Sequence, residues 1–169
     1  RNQHHDCHRH EHFHQREEAR LIPEQVSIIL GHNYLISLQE KEGKLVNPIH
    51  ERLHNEGRRL RSLGADALAH ALLDGIVDRY FAILDRLGEE VEAIEETLMG
   101  SPSRETLRAI QTLKREMILL RKAVWPLREV VGNLSRSDSP LVAKLSMLYF
   151  RDIHDHTIQV IDPIETYRD

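Results

Sequence analysis

Two long apolar stripes separated by a single stop signal constrain this chain more than any other feature of it. The first runs Leu68, Leu72, Ile76, Tyr80, Leu84, Leu87, Val91, Ile94, Leu98, and from Tyr80 its steps alternate 4, 3, 4, 3, 4. That is the seam of a coiled coil. The second runs Leu107, Ile110, Leu113, Met117, Leu120, Val124, Leu127, Val131, Leu134, again with heptad-like spacing. Between them, Gly100 reads as a helix stop and Ser101-Pro102 as the N-cap and first residue of the next helix. At 1.5 Å per residue each helix would be about 50 Å long. So short a connection forces the pair antiparallel, as a long αα-hairpin over Asp66–Leu134, with Asp66 as the first helix's cap.

The charges agree with that pairing. Asp85, Glu89, Glu90, Glu92, Glu95 and Glu96 end the first helix, while the second carries Arg104, Arg108, Lys114, Arg115, Arg121, Lys122 and Arg128. Such runs are ordinarily the solvated flanks of a seam, worth at most about 1 kcal/mol per pair. Pro126 lies inside the second pattern and is expected to kink it. Trp125, just before it, reads as a packing anchor at the kink.

The rest of the chain is less regular. Residues 1–23 form a His-rich leader: six of the twelve histidines fall in the first fourteen residues, and His8, His10, His12 and His14 alternate. With almost no apolar residues it is expected to pack little. A strand would place the four imidazoles on one face, and a helix would pair His8 with His12 and His10 with His14, so either spacing suits a transition metal. A solvated low-complexity leader is the plainer reading. Val26, Ile28 and Leu30, then Tyr34, Ile36 and Leu38, alternate about Gly31-His32-Asn33 and read as a β-hairpin. Asn47-Pro48 starts a helix with Ile49, Leu53, Leu60 and Leu63 as its stripe and Gly64 as its stop. After a loop at 135–140, Tyr149, Ile153, Val160, Ile164 and Tyr167 form a last helical pattern that no Gly or basic cap closes by Asp169. The expectation is a helix cut in its middle.

Composition narrows function by exclusion. The formal net charge is -4, against the basic face that a nucleic-acid binder shows. A single cysteine, Cys7, leaves no internal disulfide. There is no apolar run of about 18 residues, no signal-peptide core, and no nucleophile elbow, P-loop or HExxH motif. No enzyme chemistry is expected.

Several segments are familiar. "EQVSIILGHNYLISLQEKEG" at Glu24–Gly43 looks like the last hairpin of the cytoplasmic domain of CorA-type magnesium channels. "ADALAHALLDGIVDRYF" at Ala65–Phe81 is similar to that family's first long helix. "LKREMILLRKAVWPLREVV" at Leu113–Val131 resembles its return helix, and "YFRDIHDHTIQVID" at Tyr149–Asp162 the start of its stalk helix. The resemblance implies a mainly α chain: a remnant β-hairpin plus helix of an αβ domain (24–64), the αα-hairpin (65–135) and the start of the stalk (141–169). It also implies a homopentameric Mg²⁺ channel whose cytoplasmic domain senses Mg²⁺ at subunit interfaces, on the inner side of the cell membrane. The transmembrane helices of such a channel, with a Gly-Met-Asn motif after the first, would follow Asp169. Pro163 departs from the pattern, because the family's stalk continues unbroken there.

The candidate site is carboxylate-rich. Asp152 and His156 are i, i+4, Asp155 stands at i+3 from Asp152, and Asp74 and Asp78 form another i, i+4 pair. By resemblance, Asp74, Asp152 and His156 match residues at the family's interfacial cation sites. Mg²⁺ takes oxygen ligands and keeps several waters, so carboxylates suit it. His156 would serve an outer shell, or admit Co²⁺, Ni²⁺ or Zn²⁺. The plainer alternative pairs Asp152 with Arg151 or a neighbouring helix and leaves His156 as a half-buried packing residue. A Zn²⁺-transporting relative and a soluble His-rich metal-binding protein are the competing functions.

Overall fold

Alternating apolar residues about a glycine turn, then two long heptad stripes and a last helical pattern, become one small hairpin on a bundle of three long helices. The computed structural model describes residues 20–41, 46–55, 62–101 and 103–168. Strands β1 (Val26–Leu30) and β2 (Leu35–Gln39) pair antiparallel, with Val26 opposite Gln39 and Leu30 opposite Leu35. Helices α1 (Asn47–Asn55), α2 (Ala65–Gly100), α3 (Arg104–Leu134) and α4 (Lys144–Arg168) follow.

Gly64 stops the chain ahead of α2 at φ 97°, a left-handed backbone that an L side chain rarely tolerates. Residues 56–61, where the rest of the first helical stripe falls, lie outside the described residues. The start of α3 corrects the expected cap. Ser103, not Ser101, caps the helix: its hydroxyl accepts from the Thr106 N–H, and the Thr106 hydroxyl accepts from the Ser103 N–H. A capping box outweighs a lone serine because it satisfies two orphan donors at once.

The three long helices pack with α2 parallel to α4 and α3 antiparallel to both. Asp66 meets Ala143, His70 meets Tyr149, Phe81 meets His156, and Gly88 faces Tyr167, so α2 and α4 keep step along their lengths. Against α3, Arg86 pairs with Glu116 at 3.1 Å and Arg121 with Glu165 at 2.7 Å. The expected αα-hairpin is therefore present, but its seam is shared with a third helix. Leu73 and Val77, outside the predicted stripe, are buried together with Leu84, Leu87, Val124, Val131, Phe150, Ile153 and Val160. Ala65, Ala67, Ala69 and Ala71 bury the first turns of α2 nearly all round. Leu98 and Leu107, at the hairpin tip beyond that shared core, are exposed.

Asp66 does not cap its own helix. It lies inside the first turn of α2, 6% exposed, and its carboxylate accepts the Ala143 N–H at 2.9 Å and the Ala67 N–H at 3.1 Å. It thus serves as the N-terminal anion for α4, a helix 77 residues away in sequence. Burial pulls its pKa up, but the Ser146 hydroxyl and the backbone donors of Ala143, Ala67 and Asp66 itself outweigh that and hold it below the usual carboxylate value.

One further expectation is corrected. Trp125 is not core: it is 41% exposed, with the guanidinium carbons of Arg121 and Arg128 at 5.2 and 5.9 Å from its ring centroid. Cation–π contact covers the ring at the surface, and α3 continues as one helix through Pro126. Tyr34, just before β2, and Ile36 and Leu38 within it are exposed, while Ile28, Leu30 and Leu35 pack against the helical core. The tie between α2 and α3 is Arg86 with the buried Glu116, reversed in sign, and Glu116 also accepts the Leu21 N–H at 3.3 Å.

Candidate functional site

The parallel seam of α2 and α4 gathers the residues singled out in the sequence. Because the helices keep step, a residue on α2 meets one roughly 77 positions later, the separation at which Asp66 meets Ala143. His70 stands one turn before Asp74 on α2, and its ring lies 5.3 Å from Tyr149 and 6.0 Å from Phe150 on α4. Burial lowers the His70 pKa, and Arg52 of α1 adds to that effect, while Asp74 and Asp152 both oppose it. The two carboxylates thus act on one imidazole from two helices, Asp74 half-buried and Asp152 exposed.

His156 sits further along the same seam, half-buried, with the edge of its ring toward Phe81 at 6.2 Å and an interplanar angle of 81°. That contact is the packing role weighed for it from the sequence. Asp155 is exposed, its Oδ1 3.6 Å from the Nδ1 of His154. Asp78 is exposed on the outer side of α2. Among the described residues, no three His, Cys, Asp or Glu side chains are grouped as a metal centre. A cation held at Asp74 and Asp152 therefore needs further oxygen ligands from water or from another chain, a donor set that suits Mg²⁺ better than a metal demanding a closed nitrogen or sulfur shell. His8, His10, His12 and His14 lie outside the described residues.

His70 is the residue that sequence reasoning missed. Its signal was available, because His70, Asp74 and Asp78 repeat every fourth residue.

Among the described residues, no helix is long and apolar enough to cross a membrane. The sequence model of the family described as CorA-like Mg²⁺ transporter protein matches residues 7–169. The chain is 42% identical over 149 residues to the cobalt/magnesium transport protein CorA of Thermotoga maritima, an alignment covering 88% of this chain and 42% of that one. It is 26% identical over 153 residues to the cobalt/magnesium transport protein CorA of Methanocaldococcus jannaschii, covering 90% and 48%. Its fold is similar to that of the soluble domain of CorA from Methanocaldococcus jannaschii, with a TM-score of 0.71 at 23% identity, over 86% of this chain and 65% of that one. At that identity the structural likeness speaks for the fold alone. The chain spans about half the length of the curated relatives it matches. With a family match running from residue 7 to residue 169, and 42% identity over most of its length to a relative, the chain belongs to the CorA-like Mg²⁺ transporter family.

Proposed function

We propose that this chain is the Mg²⁺-sensing part of a CorA-like magnesium/cobalt channel, lying on the cytoplasmic side of the cell membrane. Identical copies, five in the intact channel, would assemble around a pore formed by transmembrane helices outside this sequence. Residues 24–64 would belong to the αβ domain of such a protein. A divalent cation shared between copies at Asp74 and Asp152 would hold the assembly closed, because it removes the repulsion between facing carboxylates. The observation that carries this reading is the parallel, in-step packing of α2 on α4, which brings the turn that carries Asp74 level with the turn that carries Asp152. Loss of the cation would restore the repulsion and loosen the contact between copies.

Calorimetric titration tests this. With few carboxylates per copy, Mg²⁺ should bind in the millimolar range or weaker, since hard-cation affinity tracks ligand charge and site rigidity. Co²⁺ or Ni²⁺ should bind more tightly where His156 or His70 contributes an imidazole. Asp152→Asn should weaken Mg²⁺ further. Micromolar Mg²⁺ binding that survives Asp152→Asn would remove the assignment. Deleting residues 1–23 separates this reading from metal sequestration by the leader, which predicts that all binding is lost with those residues. A preference for Zn²⁺ that survives the deletion would favour the Zn²⁺-transporting branch.

A further inference from the structure

Two residues that helices tolerate poorly border one groove, further along the α2–α4 seam than Asp74 and Asp152. Gly88 stands within α2 and Pro163 within α4, and both line a groove of about 330 Å³ between the two helices. Glycine and proline are the two weakest helix formers. Packing does not demand the glycine, because a Cβ placed on Gly88 would meet only the Tyr167 hydroxyl, at an ordinary 3.4 Å. Its missing side chain leaves open space in the groove instead. Pro163 has no N–H, so the Gln159 carbonyl one turn earlier lacks its helical donor.

The groove has two kinds of surface. Its floor is apolar, running from Phe81 and the buried Leu84 to Gly88 and Pro163. Its α2 rim is anionic: Asp85, Glu89 and Glu92 border it and are exposed. Among the described residues, none of these three carboxylates forms an ion pair, and no Lys or Arg lines the groove. Along α2 the second and third carboxylates lie about 6 and 10 Å beyond the first.

An anionic rim beside an apolar floor selects its ligand. A hydrated divalent cation keeps its waters and gains nothing from Phe81, Leu84 or Pro163. A neutral apolar molecule leaves three carboxylates unanswered, and an anion is repelled. We propose that this groove binds a free linear aliphatic polyamine, with its ammonium groups on Asp85, Glu89 and Glu92 and its methylenes on Phe81, Leu84 and Pro163. Ammonium groups separated by a few methylenes meet carboxylates separated by a helical turn, and the methylenes cover the floor as a lysine stem would. Gln159 borders the groove too, and its carbonyl accepts from a terminal ammonium, which has three donors. The site lies within one copy and shares no residue with the Asp74–Asp152 pair. Its occupant touches α2 and the turns on both sides of Pro163, so binding fastens the end of α4 to α2.

Calorimetric titration of the full chain with spermidine tests the proposal. One spermidine should bind per chain, more tightly than putrescine, which lacks the third ammonium, and less tightly as salt is added. Asp85→Asn with Glu89→Gln should weaken spermidine about tenfold. Gly88→Leu changes no charge and should weaken it about tenfold as well, because its side chain takes the apolar floor. Circular dichroism checks that both variants keep their helix; should the leucine unfold, Gly88→Ala reads the same floor with a smaller loss. Absence of spermidine binding at millimolar concentration would overturn the proposal. Binding that ignores the glycine substitutions would do so too, because attraction to a diffuse acidic surface would then explain it. Binding that ignores the carboxylate substitutions would place it elsewhere on the chain. Equal concentrations of Mg²⁺ should leave spermidine bound; displacement would show a hydrated divalent cation to be the true occupant.

Discussion

Replacing Asp66 by alanine should destabilise this protein far more than a first-turn residue of a long helix ordinarily would. Its carboxylate accepts the Ala143 and Ala67 N–H groups at 2.9 and 3.1 Å and is bonded by the Ser146 hydroxyl. Losing an N-cap acceptor costs about 1–2 kcal/mol. Ser146 is itself buried, and a buried donor left without a partner costs about 1–3 kcal/mol more. Part of that is recovered because a carboxylate is no longer held out of water. The net expectation is a loss of about 3 kcal/mol, or roughly 6–12 °C in Tm for a chain of this size. Asp66→Asn keeps one acceptor but turns an NH₂ toward the other donors, and should lose about half as much. The pH dependence fixes the sign. A folded-state pKa held below 3.8 means that the ionised group's contribution is complete above the ordinary carboxylate value and is lost as pH falls through the lowered one. The gap between parent and Asp66→Ala should therefore narrow in strong acid. Urea unfolding of parent and both variants at neutral pH measures it. A loss below about 0.5 kcal/mol for Asp66→Ala would refute the tie between α2 and α4, because that is the range of an unimportant surface change.

Three other outcomes follow from the packing. His70 is held below its ordinary value of 6.5, so its neutral form favours the fold, and its contribution is lost as pH falls through the depressed value; His70→Phe should lose less stability than the parent on acidification from pH 7 to about 5, and parallel losses would rule this out. Trp125→Ala should cost under about 1 kcal/mol in chemical unfolding, where a core tryptophan would cost about 3–5 kcal/mol. Ile36→Lys places a charge on the exposed outer face of β2, and should reduce aggregation measured by light scattering at high salt, where charged contacts are screened and apolar ones are strengthened; unchanged scattering would mean that this face is not the sticky one.

The hairpin, the stop at Gly64 and the antiparallel pairing of α2 and α3 were all legible in the sequence. Each is set by local chemistry: a glycine turn between alternating residues, a left-handed glycine, and a heptad repeat on both sides of a break. What was not legible depended on partners distant in the chain. Asp66 looks like a local cap because it precedes an apolar stripe, yet its acceptor is spent on Ala143. Trp125 looks like core because tryptophan is large and apolar, yet arginines a turn away on either side cover it at the surface. Leu73 and Val77 fall outside a two-helix seam and became core only because α4 supplies a second one. At the candidate site, Asp74 and Asp152 were named from the sequence, but nothing local showed that His70 stands between them electrostatically.

Pro163 gives α4 a mechanical character. The helix runs on to Arg168 through this residue, but proline has no N–H, so the carbonyl of Gln159 loses its helical donor. Gln159 and Pro163 both border the groove against α2. The helix is thus a rod with one tie removed on one side. Such a rod carries thrust along its axis almost undiminished, since compression loads every remaining bond, but it bends readily about the missing tie. Movement of the segment that carries Asp152 and His156 would pass Pro163 as a push or a pull far better than as a tilt.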